Sequence, residues 1–578
     1  MKELSDLCSR VDIAISESVD SLFSQQRDDG SWKGCLSSSP AATGDVLIAL
    51  YRADPTGSAD LIEGAVNFLV DTQRPDGGWG DDLDDSSTIN STAIATAALQ
   101  IAAPEKYITI DAGWQCLMNL GGTEAIRDVQ RCSLTVLAHK YLAMAGLMSE
   151  EDCLRVPIEL ALLPAPLRRK LTFAMPTAMA WGVMCQQKDA SGVRRWLNRI
   201  SEPLAFKYLE EIMQFEGPLG GFVESPMMCA NVCIALTEAN KRRDIVEHCI
   251  KYFRNSVHPD GSWSVTRDLE VDATNFITAG MLMAGVSDDR VKQAVNWIRG
   301  AQRLGKFAGT GAPTGGWGWG LPSGWPNSGN TGDALKVLGL AGASSNDPQT
   351  ARGIRWLQEQ QNYDGSWSCF AHISRAAMLD PSFLLVRKAR SPKVLYAPCS
   401  VMTAEALSGL AHCGIKGGST VNRALKWIIA QQKPSGSFDN KWYLGNVAGT
   451  GCVLRALNDQ GRQDLYTTRR CSEWLINNQN HDGGWGDALG KHISTVEETS
   501  MALLGLLSGD KWSSSAVRLG IEWLLRNRNN SGLWNPSLMG VYFLELTYKH
   551  DHTANGHALQ ALGYFCNLVK ESINETVK

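Results

Sequence analysis

Carboxylates at four places in this chain have a spacing that could support chemistry. The densest group is Asp81, Asp82, Asp84 and Asp85, which follows Trp79. Asp81, Asp82 and Asp85 have the Asp-Asp-x-x-Asp spacing at which carboxylate oxygens can chelate a hard cation such as Mg²⁺. A plainer reading is a solvated acidic loop capping a helix that begins near Thr88. The other carboxylates lie at or near the starts of small, apolar stretches: Asp272 in EVDATN, Asp333 in NTGDAL, and Glu497 with Glu498 in VEETSM. A carboxylate at a helix start usually satisfies free backbone N–H groups. A carboxyl kept neutral in a dry pocket can instead donate a proton.

Soft-metal chemistry finds less support. Cys369 with His372, and His550 with His552, are close in sequence, but neither is joined by the second Cys or His pair that a structural zinc site needs. The fifteen cysteines contain no paired C-x-x-C array and are expected to be reduced and largely buried. A net charge of -5, with Lys and Arg scattered along the chain, supplies no basic field for nucleic acid. Lys2, Glu3, Asp6, Arg10 and Asp12 interrupt any secretory core near the start, which leads to the expectation of a cytoplasmic protein. Residues 171–185 are uncharged but broken by Pro176 and too short to span a bilayer, so they are expected to form a buried helix.

The elements that must position these groups come from a repeat. The phrase Gln, a few residues, then Asp-Gly-x-Trp recurs as QRDDGSW at 26–32, QRPDGGW at 73–79, QNYDGSW at 361–367 and QNHDGGW at 479–485. Weaker copies end at Phe222, Trp263, Trp317, Phe438 and Trp534, and the pairs 32/79, 319/367, 438/485 and 485/534 lie 47–49 residues apart. An amphipathic stretch precedes each phrase, and a small apolar one rich in Ala, Gly, Thr and Leu follows it. The glycine can take the positive φ that ends a helix, and the Trp can pack back across the turn. Two helices per unit, one amphipathic and one wholly apolar, suit an outer and an inner ring. At 578 residues, two such bodies are expected.

These phrases resemble the QW repeats of the squalene-hopene and oxidosqualene cyclase family, which includes the class II terpene cyclases. Gly353, Trp356, Leu357, Gln361, Gly365 and Trp367 follow the full-length repeat, and the likeness runs from about residue 15 to about 570. The resemblance implies an all-α fold of two (α/α) toroids, the double α-barrel of terpene cyclase β and γ domains. Residues 1–30 plus 265–578 would form the discontinuous barrel that carries the acid, with 31–264 inserted as the second. Squalene-collecting relatives carry a long apolar insertion. Here only the charged stretch 186–207 stands in that place, so no stable membrane insertion is expected.

The family begins cyclisation with the middle carboxyl of an Asp-x-Asp-Asp-Thr motif, and Asn327, Gly329, Asn330 and Thr331 occupy that motif here, after Trp319 and Trp325. Gly329 has no proton to donate. Asp272, Asp333 and Glu497 beside Glu498 are the candidate replacements. The resemblance places Asn327, Gly329, Asn330, Trp319, Trp325, Tyr542 and Glu545 in the substrate cavity, with Glu545 where an aromatic residue would be expected. It implies an enzyme, an isomerase of natural product biosynthesis. Such an enzyme would cyclise a linear prenyl diphosphate or other linear terpenoid through a carbocation without a cofactor, taking a small-molecule isoprenoid as its partner. Two alternatives remain: an Mg²⁺-dependent, diphosphate-ionising terpene enzyme using Asp81, Asp82 and Asp85, and a non-catalytic isoprenoid-binding pseudo-cyclase. The zinc set of the related protein prenyltransferases is not found.

Overall fold

In the computed structural model each repeated phrase is a three-way staple. The structure describes residues 2–577 apart from 129–130, 133, 152, 154, 166–167, 169–173, 187–190, 218–219, 268, 308–310, 322–323, 371–396, 489–492 and 543–545. The phrase glycines Gly30, Gly77, Gly365 and Gly483 all sit at positive φ, between 85° and 97°. Each Trp indole N–H reaches back to the preceding helix: Trp32 to Leu22 O at 2.7 Å, Trp79 to Leu69 O at 2.8 Å, Trp367 to Leu357 O at 2.8 Å and Trp485 to Leu475 O at 2.7 Å. The Gln amide spans two elements. Gln361 Nε2 donates to Gly365 O in its own turn at 2.8 Å and to Thr420 O at 2.9 Å, and Gln479 bonds Gly483 O and Ala516 O in the same way. Each buried bond contributes only about 1 kcal/mol net, but leaving one unmade costs about 1–3 kcal/mol, so the repeated network also enforces register.

The chain divides into two compact units. One comprises Met1–Cys35, Asp268–Leu544 and Lys549–Lys578, and the other Leu36–Arg267 and Glu545–Tyr548. Boundaries expected at 30/31 and 264/265 fall a few residues later, and residues 545–548 join the second unit. Within that unit Thr547 Oγ1 donates to Asp85 Oδ2 at 2.6 Å.

The first unit is a closed ring. Its inner helices are Glu270–Met283, Ser328–Leu340, Ser400–His412, Val447–Asp459, Val496–Leu507 and Thr553–Val577; each packs on the next, and the last packs on the first. Outer helices Asp289–Gly300, Pro348–Gln360, Gly418–Ala430, Tyr466–Asn477 and Ser515–Arg526 each cover the inner helix before them, and Lys2–Ser24 covers Thr553–Val577. Apart from the C-terminal end of Thr553–Val577, the inner helices are buried nearly all round, which explains their small, apolar sequences; the outer ones bury a single stripe. A Cβ on Gly409 would stand 2.3 Å from Gly332 O, so the Ser328 and Ser400 helices approach backbone to backbone.

In the second unit Pro40–Ala53, Ile89–Ala102, Thr135–Met144, Met175–Gln186 and Pro226–Glu238 form the inner layer. Ala59–Asp71, Tyr107–Asn119, Gly192–Glu216 and Arg243–Ser256 lie outside them. The only strands among the described residues are the three-residue segments Gly540–Tyr542 and Leu546–Tyr548. No helix among the described residues is long and apolar enough to cross a membrane.

Candidate active site

The staples give every inner helix a common register. Four phrase Trp residues of the first unit donate their backbone N–H to a threonine near the start of an inner helix, and Trp534 donates to Asn555: Trp32 to Thr274 at 3.1 Å, Trp317 to Thr331 at 3.1 Å, Trp367 to Thr403 at 3.0 Å and Trp485 to Thr499 at 2.9 Å. Counted from that threonine, Asp272, Gly329 and Glu497 occupy one position, two residues before it. Asp333 and Glu405 occupy another, two residues after it. The candidate carboxylates are therefore repeat equivalents on neighbouring helices.

Three of these positions converge. Asn327 caps the Ser328 helix, its Oδ1 accepting Asn330 N–H at 2.8 Å, while its Nδ2 donates to Trp325 O at 3.2 Å. Asn327 also donates to Asn330 Oδ1, and Asn330 in turn donates its side-chain amide to Asp272 Oδ1 on the preceding inner helix. Burial pushes the Asp272 carboxyl well above the usual carboxylate range, and the Asp333 and Glu270 charges push it further the same way. Asp333 is ion-paired with Lys336 at 3.0 Å, both side chains being buried.

Sequence reasoning missed Glu405. A Cβ built on Gly329 would lie 2.5 Å from Glu405 Oε2, so the space vacated by a side chain at 329 is filled by a carboxyl from the next inner helix. Burial raises this carboxyl well above its usual range; Asp333 and Asp272 add to the rise, and Lys336 opposes it. Although it lies deep in the ring, Glu405 keeps some accessible surface because it lines an internal cavity of about 40 Å³, together with Asp333, Lys336, Ser408, Arg455 and His557. That volume suits a water or two, far below the roughly 300–1,000 Å³ of ligand pockets. The signal was present in sequence as a lone carboxylate within Ser400–His412, at the same register as Asp333.

An aromatic group adjoins the acids. Trp319, whose backbone O accepts Val271 N–H at 3.0 Å, meets the Phe370 ring edge to face at 5.6 Å. Trp325 and Trp442 contact Phe370 at 5.7 and 5.5 Å, and Phe307 meets Trp325 at 5.5 Å. The Trp319 indole N–H is buried and has no hydrogen-bond partner among the described residues. Tyr542 lies beside this group through its neighbour Val541, whose N–H donates to Trp442 O at 3.0 Å. Glu545 and His372 lie outside the described residues.

Other expected site residues do not join. Glu497 is tied to Ser537, its Oε1 accepting Ser537 N–H at 2.9 Å and its Oε2 the Ser537 hydroxyl, so it anchors a loop instead of facing the acid group. Glu498 is a capping carboxylate, accepting from Asp487 N at 2.9 Å, Ala488 N at 3.3 Å and Thr495 Oγ1 at 2.9 Å.

The expected Mg²⁺ set is likewise committed elsewhere. Asp81 Oδ1 accepts both Thr88 and Ser91 hydroxyls at 2.6 Å, and burial raises its carboxyl to about 6 against those two bonds. Asp82 Oδ1 accepts Asp84 N–H at 2.9 Å, and Asp85 takes Ser86 N–H and the Thr547 hydroxyl. Thr88 caps the following helix, so the loop is built as helix-capping structure. Among the described residues only Cys8, Asp12 and Cys566 bring three ligating atoms within 4.8 Å of one another. All fifteen cysteines are free of disulfides.

The family model described as squalene-hopene cyclase C-terminal domain matches residues 228–386 and 381–554, more than half of the chain, and the N-terminal domain model matches 15–181. The chain belongs to the squalene-hopene cyclase family. Within this cyclase family, the squalene–hopene cyclase of Zymomonas mobilis is 23% identical over 615 residues, covering 89% of each chain. That of Bradyrhizobium diazoefficiens is 29% identical over 205 residues, and there the chain spans only 29% of the relative's length. Among solved structures, ent-copalyl diphosphate synthase from Streptomyces platensis superposes with a TM-score of 0.64 at 15% identity, covering 96% of this chain and 99% of that one. The class II terpene cyclase fold is thus shared across nearly the whole length.

Proposed function

We propose that this protein is an isoprenoid cyclase of class II type, acting on a linear prenyl diphosphate or another linear terpenoid through a proton-initiated carbocation. The carrying observation is the adjacency of buried carboxyls to an aromatic wall: Asp272 held by Asn330, with Trp319, Trp325 and Phe370 alongside. Burial favours the neutral form of such a carboxyl, the form that carries the proton an alkene needs. Ring faces then stabilise the migrating cation, by about 2 kcal/mol or more each once water is excluded. Termination by proton loss leaves an isomer of the substrate, so the reaction needs no cofactor.

One observation favours a second reading, a non-catalytic isoprenoid binder: Gly329 supplies no acid. Incubation with linear prenyl diphosphates and squalene, with Mg²⁺ and with chelator, followed by product mass analysis, separates the two. A cyclase gives a metal-independent product isomeric with its substrate or, where water ends the cation, one water heavier. Binding without turnover of any of these would overturn the proposal in favour of the binder.

A further inference from the structure

The geometry points to Glu405 as the acid of this site, a carboxyl delivered from the Ser400–His412 helix into the space left open above Gly329. The inference rests on the cyclase reading and assigns its proton donor.

Three observations carry it. Oε2 of Glu405 stands 2.5 Å from where a Gly329 Cβ would lie, with Met402 Sδ at 3.0 Å from the same point, so the carboxyl is seated at the start of the Ser328 helix beside Asn330. Other carboxyls of this ring have partners: Asp333 pairs with Lys336, Glu497 accepts from Ser537, Glu498 caps its own helix, and Asp272 accepts from Asn330 on Oδ1. Glu405 accepts no hydrogen bond from a described residue and keeps some accessible surface, on a water-sized cavity through which a proton can be resupplied. A proton donor must present its O–H to the substrate and not to a protein acceptor, and Glu405, with neither oxygen bonded to a described residue, is arranged to do so.

The surroundings explain why the proton is present. Glu405 is flanked by Asp333 and Asp272 on the two preceding inner helices and by the thiols of Cys369 and Cys452; Lys336 and, through the cavity lining, Arg455 and His557 face the same space. Burial is the largest influence and favours the neutral acid; the paired Asp333 and Lys336 act in opposite directions. In the step itself the alkene π pair takes the proton, forming a C–H bond and a carbocation, while the O–H pair stays on Glu405 as carboxylate. The cation later loses a proton to water, and solvent returns one to Glu405.

The test uses the full chain and the same prenyl diphosphate and squalene panel. Glu405→Gln keeps shape and removes the acid, and it is expected to lower kcat/KM by about 10²- to 10⁴-fold with little change in melting temperature. Gly329→Asp in a Glu405→Ala background moves a carboxyl to the same space from the neighbouring helix, and it is expected to recover about tenfold or more over Glu405→Ala alone. Infrared difference spectra of wild type against Glu405→Gln at pH 7 are expected to show a protonated-carboxyl band lost in the variant. Wild-type turnover that survives Glu405→Gln within about threefold, a small effect on the general-acid scale, would overturn the assignment and leave the cyclase reading standing. A wild type inactive on the whole panel would overturn both. Absence of the protonated band would overturn the assignment alone.

Discussion

Asn330, at the start of one inner helix, donates its side-chain amide to Asp272 at the start of the inner helix before it, 58 residues earlier in the chain. This bond ties two repeat units at the rim where the acids gather. Replacing Asn330 with Ala would leave a buried carboxyl without its donor, at a cost of about 1–3 kcal/mol. Denaturant unfolding of Asn330→Ala against wild type measures it, and a loss below about 0.5 kcal/mol, the lower edge for a native hydrogen bond, would remove the bond's structural role.

Thr331 carries the staple of its repeat, accepting Trp317 N–H at 3.1 Å. Thr331→Val is nearly isosteric but orphans that buried N–H, so unfolding should become easier by about 1–3 kcal/mol. Because the staple recurs at Thr274, Thr403 and Thr499, the corresponding Val variants should each cost a similar amount.

Glu498 gives a pH signature. Burial raises its carboxyl from 4.5 to about 8 in the fold, outweighing the N–H and hydroxyl donors around it. A raised carboxyl means the folded state holds a proton that the unfolded state has released. Its contribution is fully present below about pH 4.5 and is lost as pH climbs toward 8, at up to about 1.4 kcal/mol per pH unit. Glu498→Gln should flatten the stability profile between pH 5 and 8; an unchanged slope in chemical denaturation would show that Glu498 is ionised throughout.

Asp81 is a structural cap in this fold. Asp81→Ala removes the acceptor of two buried hydroxyls and should cost about 1–3 kcal/mol in stability. Mg²⁺ titrated by calorimetry should give no saturable heat that disappears in the variant. A chelator-reversible Mg²⁺ heat in wild type, lost in Asp81→Ala, would restore the metal reading.

Gly332 sets how closely two inner helices approach. A Cβ there would lie 2.5 Å from Glu405 O, a backbone atom that cannot swing aside. Gly332→Ala must therefore separate the helices at the acid group and should destabilise by about 1–3 kcal/mol. A melting temperature equal to wild type would show that the ring is more compliant than its packing implies.

The architecture can be read from the chain alone, because the staple is local. Gln361, Gly365 and Trp367 lie within seven residues, and their turn, positive φ and back-bonding to Leu357 are properties of one short segment repeated along the chain. Repetition at a near-constant interval then leaves a ring of inner and outer helices as the arrangement that buries every apolar face. The chain also marks Asp272, at the opening of an inner helix, and Asp333, one helical turn after Gly329.

Tertiary structure alone decided which carboxyls meet and which are already bound. Glu405 and Gly329 are 76 residues apart, and their contact depends on the side-to-side packing of two helices through Gly332 and Gly409, a register that no single segment encodes. Glu497 looked equivalent to Asp272 by position, yet Ser537, 40 residues on, binds both its oxygens. Asp81 to Asp85 had the spacing of a metal site, but spacing along a chain does not fix where side-chain oxygens point, and neighbouring hydroxyls took them first. Local hydrogen bonding writes the fold into the sequence, whereas the protonation and availability of a buried acid depend on every group that the folded chain brings within a few ångströms of it.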